Sequence, residues 1–258
     1  MPIKHLLLYL SVFLISCAIL LVQGPIPQDP AYHNFADQRH IGGIQNFWNV
    51  VSNVPMFFLG IYGLNLAFQH FGQRADFTAK WIPVVLALGI FTASIGSAYY
   101  HYNPNNETLV WDRLPMTLMF MSVFSLIAYD LIGPNWGRWA FLLSIPLGIF
   151  SIWYWQITEA AGHGDLRPYA FVQFFPMAIA PVVIWLSNKK TTYIRYIWFV
   201  IAWYGIAKVF EHFDRETYQI LGFWSGHTIK HLLGALSLVY LLMLVRARDA
   251  QHNQPQFA

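Results

Sequence analysis

Along this chain, apolar runs of about 20 residues alternate with short polar breaks, the length at which a helix crosses the hydrocarbon of a bilayer. The runs predict eight helical spans, at 5–22, 47–69, 81–101, 113–132, 138–155, 168–186, 193–211 and 226–245. Turn-forming segments punctuate them, among them GPIPQDP at 24–30, FGQRAD at 71–76, IGPNWGR at 132–138 and LSNKKTT at 186–192. No stretch alternates with the period of two that a barrel strand needs, and no internal repeat is visible. The pattern predicts an all-α protein, a polytopic transmembrane helical bundle.

Composition agrees with the pattern. The chain has 258 residues, 57% hydrophobic and only 10% charged, against about 25% charged in a soluble domain. The predicted organisation is a first segment at 1–22, an extramembrane connector at 23–46, a membrane domain at 47–246 and a polar tail at 247–258. The first segment has two readings. Lys4 before an apolar core resembles a signal peptide, and LISC at 14–17 resembles a lipoprotein box around the lone Cys17. Apolar residues continue to Val22, however, long enough for a retained transmembrane helix. A single cysteine excludes an internal disulfide.

Charge fixes an expected orientation. With eight spans, one side receives nine cations: Lys4, Arg74, Lys80, Arg138, Lys189, Lys190, Arg195, Arg246 and Arg248. The other receives Arg39, Arg113, Arg167 and Arg215, with Lys208 and Lys230 in or next to spans. The excess puts both termini in the cytoplasm, as expected for a multi-pass protein of a bacterial inner membrane. The net charge of +3 then reflects topology and gives no sign of nucleic-acid binding.

Candidate chemistry gathers at the ends of three spans. Ser97 and His101 lie four residues apart near the end of the third, and His227 and His231 repeat that spacing at the start of the eighth. Such spacing stacks two side chains on one helical face. Alternation of spans puts both pairs on one side of the membrane, together with Asp112 at the start of the fourth span. Ionisable groups at that depth are costly, face inward and are usually functional. Three imidazoles suit a tetrahedral Zn²⁺ with a fourth position open to water. Asp112 is then placed to hold or deprotonate that water, and Ser97 to donate to a developing oxyanion. The parts match metal-assisted hydrolysis. A pair of histidines on one helix cannot supply opposite axial ligands to a haem, and no second such pair is visible on a facing helix at matched depth, which argues against that group. No inverted repeat or pair of broken helices points to a transporter.

The pattern S-x3-H, then Asp, then H-x3-H in the last span resembles the alkaline ceramidase family, within a superfamily of seven-helix membrane hydrolases that also contains the progestin and adipoQ receptors. The residues that carry the resemblance are Ser97, His101, Asp112, His227 and His231, with NFWNVVSN at 46–53. GDLRPYAFVQFFPM at 164–177 and AKVFEHFD at 207–214 resemble bacterial members. The resemblance covers about residues 30–246 and implies a seven-helix core, so the segment at 1–22 is an addition. It implies that the three histidines hold zinc, that Asp112 handles the attacking water and that Ser97 lies beside the metal. The implied substrate is ceramide or a related lipid amide, its acyl chains in an apolar cavity of the bundle. The superfamily offers an alternative, a zinc-containing receptor or sensor. Eukaryotic members carry an acidic calcium site before the F-W-N stretch. Here the region reads FADQRHIGGIQNFWN, with Asp37 as its one carboxylate, too few oxygen ligands for calcium. Asn49, Ser52 and Asn53 form a polar stripe on the second span, either ordinary interhelical bonds or partners of the metal ligands. Glu211, Asp214 and Lys230 are candidates for orienting the histidines.

Overall fold

A computed structural model describes residues 2–189 and 191–252. The end of the predicted tail, 253–258, and Lys190 of the charge count lie outside the described residues. Helices occupy Ile3–Val22 (α1), Phe47–Val51 (α2), Val54–Gln69 (α3), Phe77–Tyr102 (α4), Asn106–Ile127 (α5), Pro134–Ala160 (α6), Arg167–Leu186 (α7), Arg195–His212 (α8), Asp214–Leu221 (α9) and Gly226–His252 (α10). No strand is present among the described residues, and the protein is the all-α polytopic bundle its sequence predicts.

Among the described residues, seven helical segments are long and apolar enough to cross a membrane: α1, α2–α3 taken together, α4, α5 with its continuation to Ile132, α6, α7 and α10. The eighth expected span, 193–211, forms α8. Arg195, Lys208 and Glu211 within 18 residues keep it outside that apolar set. It nevertheless runs antiparallel beside α10, with Glu211 meeting Lys230 at 3.0 Å and Phe199 stacked on Tyr240 further along.

The second span is broken where the sequence expects one helix. Ser52 Oγ donates to the Asn49 carbonyl at 3.1 Å, and Asn53 Nδ2 donates to the carbonyls of Asn49 and Val50. These short side chains offer the backbone an alternative to the helical ladder. Pro55, at the start of α3, then removes an N–H that the ladder needs. The last helix is longer than expected, running to His252 rather than ending near 245. Its added turns are anchored by a buried ion pair, in which Arg74 holds both oxygens of Asp249 and also donates to the Ala67 carbonyl. α5 ends in a π-turn at Ala128–Ile132.

The chain divides into two compact units. One comprises Met1–Asp29, Asp76–Leu86 and Met116–Lys190. In it α1 packs on α7, with Phe13 edge-on to Phe171 and Phe175. An apolar cavity of about 360 Å³ opens there between α1, α5, α6 and α7. The other unit comprises Pro30–Ala75, Ala87–Pro115 and Thr191–Ala258, and α10 is its centre, contacting α2, α3, α8 and α9. All the chemistry predicted from the sequence falls in this second unit.

Candidate metal centre

Glycine at position 96 is what lets α4 and α5 touch. A methyl group there would fall 1.9 Å from the Trp111 carbonyl oxygen, inside any tolerable contact. This close approach places Ser97, the next residue on α4, within hydrogen-bond reach of Asp112, the next on α5, and the two are bonded. One turn beyond Ser97, His101 is buried, 1% exposed. α10 supplies His227 and His231, one turn apart and both buried. Its first residue is again a glycine under constraint: a methyl at Gly226 would lie 2.1 Å from the Phe210 carbonyl oxygen.

The three imidazoles point the same nitrogen at one another. His101 Nε2 is 3.1 Å from His231 Nε2 and 3.3 Å from His227 Nε2, and the three candidate ligand atoms all lie within 4.8 Å of one another. Nitrogens at ~2.05 Å from a tetrahedral ion stand ~3.3 Å apart. Two edges of the triangle match that separation, and the third closes within 4.8 Å. A single Nε2–H on His101 can serve only one of its two neighbours, so hydrogen bonding alone does not explain the convergence of all three. The donor set, three neutral nitrogen ligands from two helices, fits a divalent metal with an open position.

The surroundings orient each ring differently. His231 Nδ1 lies 2.8 Å from Ser52 Oγ, which in turn donates to the Asn49 carbonyl. Were Nε2 to bind a metal ion, Nδ1 would carry the proton and donate to Ser52, which would fix both tautomer and ring. His227 is set through its backbone, whose N–H donates to Asp214 Oδ1 at 2.7 Å. Asp214 Oδ2 accepts from the Ala36 N–H at 2.8 Å, so one carboxylate ties α10 to the connector. His101 Nδ1 is buried without a hydrogen-bond partner. Its ring is held by packing instead, between Phe35 at 4.7 Å and Tyr100 at 4.8 Å. Phe35 also packs on His227, at 4.7 Å between ring centres.

Of the residues expected from sequence, the structure thus brings together His101, His227 and His231, and separately bonds Ser97 to Asp112 beside them. Ser52 resolves the open reading of the polar stripe, since it reaches a histidine. Asn49 bonds instead to Thr228 and to the Asp37 carbonyl. Asp214 orients a histidine by its backbone and not by its imidazole. Glu211 and Lys230 bond to each other. Asp37 is occupied by Arg39, which reaches both of its carboxylate oxygens.

Two participants were not legible in the sequence. Phe35 is a lone aromatic in a polar connector, with no periodicity to mark it. His33, which no spacing links to the other histidines, bonds Tyr100 OH at 3.0 Å and Asn106 Oδ1 at 2.9 Å, pinning the connector to α4 and α5. Nearby Tyr32 donates to Glu211. Burial, reinforced by the Glu211 charge, pushes its phenol up to about 12, so it remains a donor at neutral pH.

Compared with protein-family models and with curated proteins, the chain finds no match. The site therefore speaks through its own geometry.

The Ser52 contact yields a direct expectation. Ser52→Ala should weaken metal binding by about tenfold, in keeping with the 10–100-fold typical of such supporting bonds, while leaving the helical circular-dichroism signal intact. Competition against a chromophoric chelator measures it, and unchanged affinity would remove Ser52 from the metal's support.

Proposed function

We propose that the protein is a zinc-dependent hydrolase of lipid amides, working within the membrane on ceramide or a related N-acyl lipid. The convergence of three buried histidine Nε2 atoms beside a Ser97–Asp112 pair supports this reading, and the resemblance to alkaline ceramidases supplies the substrate class. A bound zinc ion supplies Lewis acidity and lowers the pKa of its water to about 7.

The chain's own residues do the rest. Asp112 takes a proton from the water as its oxygen attacks the amide carbonyl carbon. It then returns that proton to the nitrogen as the C–N bond breaks, so that a fatty acid and an amine leave. The Ser97 hydroxyl, bonded to Asp112, holds the carboxylate in the orientation that proton transfer needs. Phe35 covers two of the three imidazoles and keeps bulk water from them. On this reading, with α8 also crossing the membrane, the termini face the cytoplasm and the site lies toward the opposite side, as the excess of Lys and Arg argues.

Purified protein in nanodiscs should release fatty acid from ceramide or another N-acyl lipid, lose that activity on treatment with a zinc chelator and regain it on adding Zn²⁺. Metal binding without turnover on any lipid amide would instead favour the receptor reading.

A further inference from the structure

Beside the histidine triad, two lysines converge on a single carboxylate. Glu211, near the end of α8, accepts from Lys208 at 2.5 Å and from Lys230 at 3.0 Å. The Tyr32 hydroxyl donates to the same carboxylate at 3.4 Å, and the Arg113 guanidinium lies 5.4 Å above the Tyr32 ring. Lys230 sits between His227 and His231 on α10, and its charge acts on Asp112 as well as on Glu211. Two lysines thus share one carboxylate, Glu211, before any metal ion adds its own charge.

A structural ion pair across α8 and α10 needs one lysine, and Lys230 with Glu211 provides it. Lys208 is then in excess. Its side chain is 34% exposed, against 18% for Lys230, so it is the member of the pair that a ligand meets first. An ammonium has three N–H donors, and among the described residues each lysine bonds one carboxylate only. Two ammoniums sharing one carboxylate in a half-buried, low-dielectric setting leave one positive charge that a further anion would complete. A metal with three neutral imidazole ligands keeps its full double charge, which increases the demand.

We propose that Lys208 and Lys230 form an anion subsite beside the metal centre, and that the amide substrate carries a carboxylate on its amine side. This rests on the hydrolase reading and narrows it, within the N-acyl lipids, to N-acyl amino acids in preference to neutral amides such as ceramide. Hydrolysis then adds water across the C–N bond and releases a fatty acid and a free amino acid. Lys208 holds the amino-acid carboxylate, which sets the amide at a fixed distance from the histidines.

The experiment uses full-length, zinc-loaded protein in nanodiscs of neutral phosphatidylcholine, with three palmitoyl amides: N-palmitoylglycine, N-palmitoylethanolamine and palmitoyl ceramide. It compares kcat/KM for each in wild type, Lys208→Met and Lys208→Arg. Binding of a non-hydrolysable ketone isostere of N-palmitoylglycine is measured in parallel, independently of turnover. Wild type should favour the glycine amide over the ethanolamide by about tenfold or more, the scale of one charge-assisted bond. Lys208→Met should lower that ratio by about tenfold, and Lys208→Arg should largely restore it. Equal rates on the two amides, or a ratio unmoved by Lys208→Met, would overturn the anion subsite while leaving the hydrolase standing. Isostere binding that requires the Lys208 charge, without cleavage of any amide, would keep the subsite and overturn the hydrolase. Absence of both would overturn both.

Discussion

His231→Ala protein is expected to bind Zn²⁺ more than about a hundredfold more weakly than wild type, exceeding the loss typical of a supporting residue. The substitution removes one of three converging Nε2 atoms and leaves two, His101 and His227, 3.3 Å apart. Two imidazoles and water hold zinc far less firmly than three from a preorganised site. It also strips Ser52 of its partner, so the surviving ligands lose a support of the α10 register. His101→Ala and His227→Ala should behave alike, because each contributes the same atom to the same point. His163→Ala is the control. His163 is exposed and outside the cluster, and its loss should leave affinity unchanged. Chelator competition on all four variants measures the contrast, and a His231→Ala protein with wild-type affinity would dissolve the proposed ligand set.

On the proposed hydrolase reading, the second large effect falls on turnover. Asp112→Asn should lower the rate of amide hydrolysis by about 10²–10⁴-fold, the usual contribution of a positioned general base, while keeping the metal. The substitution is nearly isosteric and retains an oxygen that can accept from Ser97, so the packing at Gly96 and Trp111 is undisturbed. What it removes is the capacity to take a proton. Ser97→Ala should cost less, since it loosens the carboxylate without abolishing it. Near-wild-type turnover in Asp112→Asn, with metal present, would show that the proton goes elsewhere.

Much of this was legible in the chain because two periodicities carry it. Apolar runs of membrane length fixed the spans, and i, i+4 spacing put Ser97 with His101 and His227 with His231. What escaped depends on contacts between segments far apart in sequence. Nothing in FADQ marks Phe35 as the cover of two histidines, since its partners come from α4 and α10. Asp214 acts through the backbone of His227 and Ala36, which no motif of side-chain types records. The break at Ser52–Asn53 was foreshadowed by Asn, Ser and Pro55, yet hydropathy alone reads straight through it. α10 overran its expected end because Arg74, 175 residues away, neutralises Asp249. That pairing makes a buried turn of an otherwise polar tail.

The most direct test of the account is the metal itself. Elemental analysis of detergent-purified wild-type protein, with X-ray absorption at the metal edge, should find one zinc per chain. Its first shell should hold three imidazole nitrogens at about 2.0–2.1 Å and a lighter oxygen ligand. Protein expressed with ample zinc that carries none, or whose metal is not bound through imidazole, would contradict the account at its centre.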